Sequence, residues 1–407
     1  METVRIESKR PLYWLALGAF CLSTEGFMIA PLLPSISADL GRSVSAAGLL
    51  VSVFAFAYAI SSPILTTLTG NLNRRTLLIV SLAAFAVANV AAWHSTTFAQ
   101  LMAARILLAF TAGLFLPNAN AVAGSLVAPE QRGRALAIVN GGSSVAIALG
   151  VPLGSIIASF GSWRSTFASV AVLGAIATIG LIFGLPKGFG KGLPTATLTQ
   201  RLNVGRRPAV LTALLSTMLW ATGAYVVYTY VAAYIVETLG AHGVPLSVVL
   251  FAWGVSAVTG MILGGRLTDK LGSHRVLVLM LSILTAAFIT LSLIHAYVPP
   301  AIAVVPVIVA VICWGASVWG FIAPQQSRLI GIGGVNVAPV TLSLNASFMY
   351  IGFSLGSGLG GYVLGTHGVG ALGWIGGAFE AASLGIVLVT ARRKTVPAAA
   401  PRELVDG

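Results

Sequence analysis

The sequence predicts an all-α integral membrane protein with twelve transmembrane helices in two six-helix, pseudo-symmetric halves. Hydrophobic residues make up 57% of the chain and charged residues 8%, whereas soluble domains carry about 25% charged residues. Its apolar segments reach the ~20 residues that an α-helix needs to cross a bilayer. Backbone groups inside lipid must satisfy their own hydrogen bonds, and the segments lack the short alternating pattern of a membrane barrel. The spans are therefore predicted to be helices.

Polar breaks separate the predicted spans from one another. The spans cover residues 12–34, 44–67, 76–94, 98–127, 134–160, 165–186, 208–237, 246–267, 275–295, 300–324, 336–365 and 371–391. The first apolar run is longer than the apolar core of a cleaved signal peptide. We interpret it as a retained span.

The longest polar break, residues 187–207, predicts a cytoplasmic linker between an N-terminal half, 1–186, and a C-terminal half, 208–407. Internal repetition supports this division. Leu68-Thr69 after the second span and Leu267-Thr268 after the eighth both open a basic loop. Parallel repeats that flank a binding site at mid-membrane are a known transporter architecture.

The net charge of +13 comes from short basic clusters between the spans. With the predicted spans, these clusters fall on one side of the membrane, whereas Arg42 and Arg164 fall on the other. This asymmetry predicts a multi-pass protein of the inner or plasma membrane with both termini cytoplasmic. The positive charge is therefore interpreted as setting the orientation of the protein in a lipid bilayer. We predict no nucleic-acid partner. Cys21 and Cys313 lie in apolar runs without a metal-binding pattern, so no metal site is predicted.

Ionisable residues inside the spans are the first candidates for function. Glu25 lies near the middle of the first span, where a charge costs at least ~2.5 kcal/mol and usually faces a cavity or a partner. Arg105, inside the fourth span, keeps its charge at any pH, and a fixed cation changes the proton affinity of a nearby carboxylate. We predict that Glu25 and Arg105 couple transport to protons. The alternatives are a neutral, hydrogen-bonded acid and a structural arginine that reaches the interface.

A second carboxylate and several polar or aromatic residues also lie inside the spans. Glu380, in the twelfth span, ranks below Glu25 as a proton-coupling site. The predicted substrate-binding residues are Glu25, Asn118, Asn120, Tyr225, Tyr228 and Asn345. The asparagines serve equally well as hydrogen bonds between helices, worth ~0.6 kcal/mol each. The tyrosines can stack on a substrate or belong to the interfacial aromatic belt.

The loop after the eighth span resembles a signature of the major facilitator superfamily, G-x-L-x-D-R-x-G-R-R. It runs from Gly265 and includes Asp269, Lys270 and Arg275. The corresponding stretch after the second span keeps two arginines, Arg74 and Arg75, but has Gly70 where the aspartate is expected. The resemblance implies that these charged residues control the cytoplasmic gate.

Further motifs are similar to the twelve-span drug:proton antiporters of that superfamily. They are Ser23-Thr24-Glu25 in span 1, RILLAFTAG from Arg105 in span 4, GVPLG from Gly150 through Pro152 to Gly154 in span 5, Trp163-Arg164 followed by Phe167, and SLNASFMYIGFSLGSGLGG from Ser343 to Gly361 in span 11. GVPLG resembles the signature of antiporters rather than symporters. Its glycines and proline also allow close helix packing and a kink.

The resemblance covers residues 12 to about 393 and implies a transporter rather than an enzyme. It implies proton-coupled efflux of a small organic solute or drug, driven by the proton gradient without a cofactor, by a monomer in the lipid bilayer. Proton-coupled uptake, a non-transporting membrane sensor and an intramembrane enzyme remain alternatives. No catalytic constellation of the kind an intramembrane enzyme needs is visible. The substrate cannot be read from the sequence.

Overall fold

The computed structural model describes residues 10–128, 131–186, 197–240, 246–334 and 337–392, and within them the chain is helical. Twelve long helices follow one another, and we number them α1 to α12. Their bounds are Arg10–Asp39, Val44–Leu68, Arg74–Trp93, Phe98–Ser125, Arg132–Phe160, Trp163–Gly184, Pro208–Tyr228 continued by Val231–Leu239, Leu246–Leu271, Ser273–Tyr297, Pro300–Gly333, Ala338–His367 and Gly370–Arg392. The predicted fold class is confirmed.

Eleven of the described helices are long and apolar enough to cross a membrane. The helix outside that set is α11, which carries many glycines and serines. Small residues lower its hydropathy but let neighbouring helices approach. A Cβ on Gly352 or Gly356 would overlap backbone carbonyls of α7, and one on Gly360 would lie 2.8 Å from the carbonyl of Val226. The glycine stripe of α11 thus packs against α7 within the C-terminal half.

Local capping and proline chemistry fix the helix ends. The side chain of Asn73 caps α3 and accepts from the amide of Arg75 at 2.9 Å. Thr97 and Gln100 form a reciprocal capping box at the start of α4. Helix α1 continues to Asp39, beyond the predicted limit at residue 34, with two prolines inside it. Prolines are tolerated in membrane helices because neighbouring groups satisfy the freed carbonyls.

Two helices are irregular where the sequence predicts continuous spans. In α5, residues Ala146–Gly150 form a π-helical turn that ends two residues before Pro152. Because proline has no amide hydrogen, it cannot complete the ordinary helical pattern, and a wider turn accommodates the loss. In α7, the helix breaks at Thr229 and Tyr230, and the Tyr230 hydroxyl donates to the carbonyl of Ser357 at 2.8 Å.

We call the end of the bundle where α1 begins and α12 ends the basic end, and the other end the opposite end. Near the opposite end, three serine hydroxyls join α2 to α11. Ser45 donates to the carbonyl of Gly361 at 2.5 Å, Ser357 to that of Gly48 at 2.9 Å, and Ser52 to that of Ser354 at 2.7 Å. The two sets of helices, α1–α6 and α7–α12, are therefore held together at the opposite end.

Most of the predicted linker, residues 187–196, lies outside the described residues. Its last part forms a short helix, Leu198–Gly205, capped by Thr197. Arg201 in this helix donates to the hydroxyl of Ser343 on α11, and Arg207 donates to the carbonyl of Gly333 at 3.2 Å. The linker helix is thus tied to the C-terminal half, while the predicted domain boundaries stay a prediction.

Candidate functional site

Glu25 and Arg105 form a fully buried ion pair between α1 and α4. Both side chains are 0% exposed, and Nη1 of Arg105 donates to Oε1 of Glu25. The arginine Nε also donates to the carbonyl of Leu50 on α2 at 3.3 Å, and its guanidinium carbon lies 4.0 Å from the centroid of the Phe54 ring. Oε2 of Glu25 and Nη2 of Arg105 have no hydrogen-bond partner among the described residues. The two side chains are in direct contact, but each keeps one atom without a hydrogen-bond partner among the described residues.

The three residues of the Ser23-Thr24-Glu25 stretch face different neighbours because successive helical residues are rotated by ~100°. Ser23 donates to the hydroxyl of Ser143 on α5 at 2.8 Å. Thr24 packs against Gly150, where an added Cβ would overlap its side chain. Glu25 alone turns toward α4. The serine and threonine therefore fix the rotation of α1 that buries the carboxylate.

A small cavity of about 30 Å³ lies beside this ion pair, between α1, α2 and α4 of one half and α7 and α11 of the other. Its walls include Leu22 and Gly26, which flank Glu25 on α1, and Phe54. Glu25 itself does not reach the cavity. Phe54 therefore forms a shared wall, with the cavity and the guanidinium of Arg105 both beside its ring.

A second small cavity of about 20 Å³ adjoins the first and shares Phe27, Tyr225 and Phe353 with it. Its other lining residues are Trp220, Ala224, Tyr228, Trp253, Trp314, Val318, Trp319 and Met349. The Tyr225 and Phe353 rings stack with centroids 3.8 Å apart, and the Tyr228 hydroxyl donates across the bundle to the carbonyl of Phe27 at 2.9 Å. The two cavities together form an aromatic chamber between the halves.

Of the predicted substrate-binding residues, the structure brings only Tyr225 and Tyr228 to the chamber. Sequence reasoning missed its tryptophans, Trp253, Trp314 and Trp319. A signal for them exists, because interfacial tryptophans lie near span ends and these three lie well inside α8 and α10. Apolar walls with a few hydroxyl groups suit an aromatic or amphipathic small molecule.

The asparagines of the predicted set lie elsewhere. Asn118 accepts from Nη1 of Arg74 at 2.7 Å, in the direction of the basic end. It lies 13 residues beyond Arg105 on α4, which corresponds to ~20 Å along the helix. Asn345 accepts from the hydroxyl of Thr217 at 2.7 Å. Asn120 does not line either cavity of the chamber. These contacts favour the alternative interpretation of Asn118 and Asn345 as hydrogen bonds between helices.

The two arginines after α2 donate to backbone carbonyls, in addition to the bond from Arg74 to Asn118. Arg74 is buried, and its Nη2 donates to the carbonyl of Gly70 at 3.2 Å. Arg75 donates to the carbonyls of Leu185 at 2.9 Å and Ile182 at 2.5 Å, at the end of α6. A main-chain oxygen of Gly70 thus contacts the arginine where the family pattern has an aspartate. These bonds join α2, α3 and α6 at the basic end.

The corresponding charged residues of the second half are more exposed to solvent than Arg74. Helix α8 continues to Leu271, so Asp269 and Lys270 lie on its last turn rather than in a loop. Both are exposed, as is Arg275 on the first turn of α9. Asp269 forms no ion pair among the described residues. Their predicted gating role stays a prediction.

The Gly150–Gly154 stretch lies where α5 meets both α1 and α8. An added Cβ at Gly154 would lie 3.3 Å from the Cβ of Met28 on α1. One turn earlier, the carbonyl of Ile147 lies 2.5 Å from the position of a Cβ on Gly254 of α8. The π-helical turn and its glycines therefore contact a helix of the other half.

A clamp at the opposite end gives the Trp163-Arg164 motif a structural role that the sequence did not reveal. Arg164 Nη1 and Trp163 Nε1 both donate to Oδ2 of Asp39, at 2.6 and 3.2 Å. Arg164 also donates to the carbonyl of Ser95 from Nε and Nη2. The motif therefore joins the end of α1 to α6 and to the turn after α3.

Comparisons with known proteins agree with this architecture. A profile of the Major Facilitator Superfamily matches residues 15–331. The chain is 32% identical to the uncharacterized MFS-type transporter YbcL of Bacillus subtilis (strain 168), over 90% of this chain and 91% of that protein. It is 33% identical to a chloramphenicol resistance protein of Streptomyces lividans, over 64% of this chain and 67% of that protein.

A crystal structure of a mutant of the nucleoside transporter NupG superposes with a TM-score of 0.73. The alignment covers 94% of this chain and 99% of that one at 13% identity, so it shows the shared fold. Among the described residues, no group of three or more histidine, cysteine, aspartate or glutamate side chains is placed to hold a metal. From its helices, its central chamber and these similarities, the chain belongs to the major facilitator superfamily and is a multi-pass membrane transporter rather than an enzyme.

Proposed function

We propose that this transporter exports a small organic solute in exchange for protons, with both termini and the basic end in the cytoplasm. The observation that carries the proposal is Phe54, whose ring lies between the aromatic chamber and the buried Glu25–Arg105 pair. One side chain thus contacts both the guanidinium that pairs with Glu25 and the chamber where a substrate would lie.

The ionised and protonated forms of Glu25 differ in what they do to the helices. An ionised Glu25 pairs with Arg105 and, through the bond to Leu50, holds α1, α2 and α4 together. A proton on Glu25 removes the charge attraction but leaves the guanidinium charged, since arginine does not lose its proton in proteins. Protonation therefore loosens α1 from α4 and frees the Phe54 ring to move.

Substrate binding acts on the same ring from the chamber. A molecule that fills the space beside Tyr225 and Phe353 presses Phe54 toward Arg105 and favours the paired, ionised state of Glu25. Substrate and proton then compete, as exchange requires. The closure of α2 on α11 at the opposite end favours entry of substrate into the chamber from the basic end.

Efflux rather than uptake is favoured by two further points. The Gly150–Gly154 stretch resembles an antiporter signature, and one relative is named a chloramphenicol resistance protein. Half of the residues that line the chamber are aromatic, and few carry hydroxyl groups. An aromatic, weakly polar drug or metabolite is the proposed substrate class.

Proton release from purified, detergent-solubilised protein tests this function. Lipophilic cations, phenicols, sugars and nucleosides are added to the wild type, to Glu25→Gln and to Glu237→Gln, whose glutamate side chain is 56% exposed. We expect at least one compound to release protons from the wild type and from Glu237→Gln but not from Glu25→Gln. Compounds that bind without releasing protons from the wild type would refute proton exchange. Release that persists in Glu25→Gln would place coupling elsewhere.

The direction of coupling is measured in sealed proteoliposomes with the identified compound. Antiport predicts accumulation of the compound when the lumen is acidic. Accumulation only when the lumen is alkaline would show symport, and thus uptake. The same vesicles carrying Glu25→Gln are expected to show no accumulation under either gradient but to retain exchange of labelled for unlabelled compound.

A further inference from the structure

Glu380 in the middle of α12 is a second fully buried carboxylate, and the transport mechanism above does not use it. Its side chain is 0% exposed, and neither carboxyl oxygen has a hydrogen-bond partner among the described residues. A Cβ added to Gly223 of α7 would lie 2.7 Å from its Oε1. The backbone amide of Ala224 approaches the carboxyl without the geometry of a hydrogen bond. Glu380 therefore sits in the α7–α12 interface without a partner.

No counter-charge reaches this carboxyl from the surrounding helices. Charged or titratable side chains on the described helices packed near α12 are Tyr225, Tyr228, Tyr230, Tyr234 and Glu237 on α7, His274, Arg275, His295 and Tyr297 on α9, Arg328 on α10, and Tyr350, Tyr362 and His367 on α11. None of them interacts with the Glu380 carboxyl. Burying an unpaired ion is so costly that such a group becomes neutral instead. The geometry is that of a protonated acid.

Polar groups continue from Glu380 toward the basic end. Ser383 lies one turn along the same face of α12, a spacing that brings side chains ~5–6 Å apart. Its hydroxyl lies 2.9 Å from the hydroxyl of Ser216 on α7 and donates to the Ser216 carbonyl at 2.9 Å. Both serines are buried. They form the polar contact next to Glu380 between α7 and α12.

One further turn along both helices, an open cavity of about 800 Å³ begins at the basic end. Its walls include Thr212 of α7, Val387 and Thr390 of α12, and Arg328 of α10, whose Nη2 donates to the Thr390 hydroxyl at 2.6 Å. Thr390 is ten residues, or ~15 Å, from Glu380 along α12. The cavity therefore brings the solvent at the basic end to within about a turn of the serine pair.

We propose that Glu380 is a second proton-binding site, located in the C-terminal half, and that it exchanges its proton with the basic end through Ser383, Ser216 and the cavity around Arg328. The acid O–H bond breaks as the proton passes to a serine hydroxyl, which gives up its own proton toward the cavity. The site binds a proton whether the transporter works by antiport or symport, and its test uses no substrate.

Infrared spectroscopy of the purified protein at neutral pH tests the protonation. A protonated carboxylic acid has a carbonyl stretching band separate from that of a carboxylate. We expect such a band in the wild type and in Glu25→Gln, and its loss in Glu380→Gln. A band that is unchanged in Glu380→Gln, or no acid band in the wild type, would overturn the proposal.

Two glycine variants keep the glutamate and cover the case in which Glu380→Gln does not fold. Gly223→Ala places a methyl group 2.7 Å from Oε1 and equally close to the carbonyl of Gly376, so we expect it to shift the acid band. Gly385→Ala, on the same helix as Glu380, meets nothing within 4 Å and should leave the band in place. Equal bands in both variants would contradict the assignment to Glu380.

The route is tested by the rate at which the acid band shifts after transfer into D₂O. The double variant Ser216→Ala/Ser383→Ala is expected to slow this exchange by about tenfold or more, because it removes proton-relay groups. Ser81→Ala is the control, since Ser81 is buried in the other half and donates only to Leu78 of its own helix. Exchange as fast in the double variant as in the control would overturn the proposed route.

Discussion

Replacing Glu25 by glutamine is expected to destabilise the protein more than replacing Arg105 by glutamine. Both side chains are 0% exposed, and each is the only charged partner that the structure gives the other within the described residues. After Glu25→Gln, a guanidinium that cannot lose its charge stays buried. After Arg105→Gln, a proton can neutralise the remaining carboxyl. The asymmetry follows from the acid–base chemistry of the two side chains.

The contacts of each side chain determine how much free energy of unfolding each substitution should remove. Removing one partner of a buried ion pair costs ~3–5 kcal/mol when the other charge stays uncompensated. The bond of Arg105 to the Leu50 carbonyl and its position over Phe54 lower that cost, so we expect about 3 kcal/mol for Glu25→Gln. A neutral Glu25 that has lost its donor costs ~1–3 kcal/mol. The double variant should be less destabilised than the sum of the two single variants.

Denaturant unfolding of the purified protein in detergent micelles measures these free energies at neutral pH. The wild type, both single variants and the double variant form one cycle, and Glu237→Gln serves as the exposed control. Equal destabilisation by Glu25→Gln and Arg105→Gln would refute the reasoning, because it would mean that the lone arginine is relieved by solvent or by another acceptor. Strict additivity in the double variant would refute the pairing itself.

Two other substitutions test the packing and the clamp at the opposite end. Gly356→Ala would overlap the Thr222 carbonyl of α7, so we expect it to lower the free energy of unfolding by ~1–3 kcal/mol. Gly385→Ala is the control, because its added methyl group meets open space. Its free energy of unfolding should stay within ~1 kcal/mol of the wild type. Arg164→Met breaks an ion pair with Asp39, whose side chain is 44% exposed. Because exposed ion pairs contribute little, we expect the free energy of unfolding to fall by only ~1 kcal/mol in the same assay. A larger decrease than that of Gly356→Ala would contradict this expectation.

The fold was predictable because its cause is visible in the sequence. Span length and hydropathy reflect bilayer thickness directly, so the helices fall close to the predicted spans. Glu25 and Arg105 were also visible, because an ionisable residue inside an apolar run is costly wherever it points. An electrostatic influence of Arg105 on Glu25 was expected. Their direct contact, and the separation of Glu25 from the chamber by Phe54, depend on the rotation of three helices about their axes. Hydropathy does not encode that rotation.

The placement of Asn118 shows where residue type alone misleads. An asparagine in a span suggests a polar site, but its depth decides its partner. Arg105 lies near the start of α4 at the opposite end, and Asn118 lies near its other end, where Arg74 begins α3. Counting residues along the span places the two groups too far apart for one binding site. The π-helical turn before Pro152 is a second case, because it changes which face of α5 each later residue presents.

The closure of α2 on α11 has an energetic consequence for the transport cycle. Its polar part consists of hydroxyl-to-carbonyl bonds donated by Ser45, Ser52 and Ser357. Each such bond contributes ~1 kcal/mol net, because water replaces it when it opens, so the three together hold the closure by only ~3 kcal/mol. A ligand must supply ~5.5 kcal/mol of differential affinity to reverse a 99:1 population. The ~3 kcal/mol of these three bonds corresponds to roughly such a 99:1 preference, so on the bonds alone the alternative arrangement is populated at about 1% before any ligand binds.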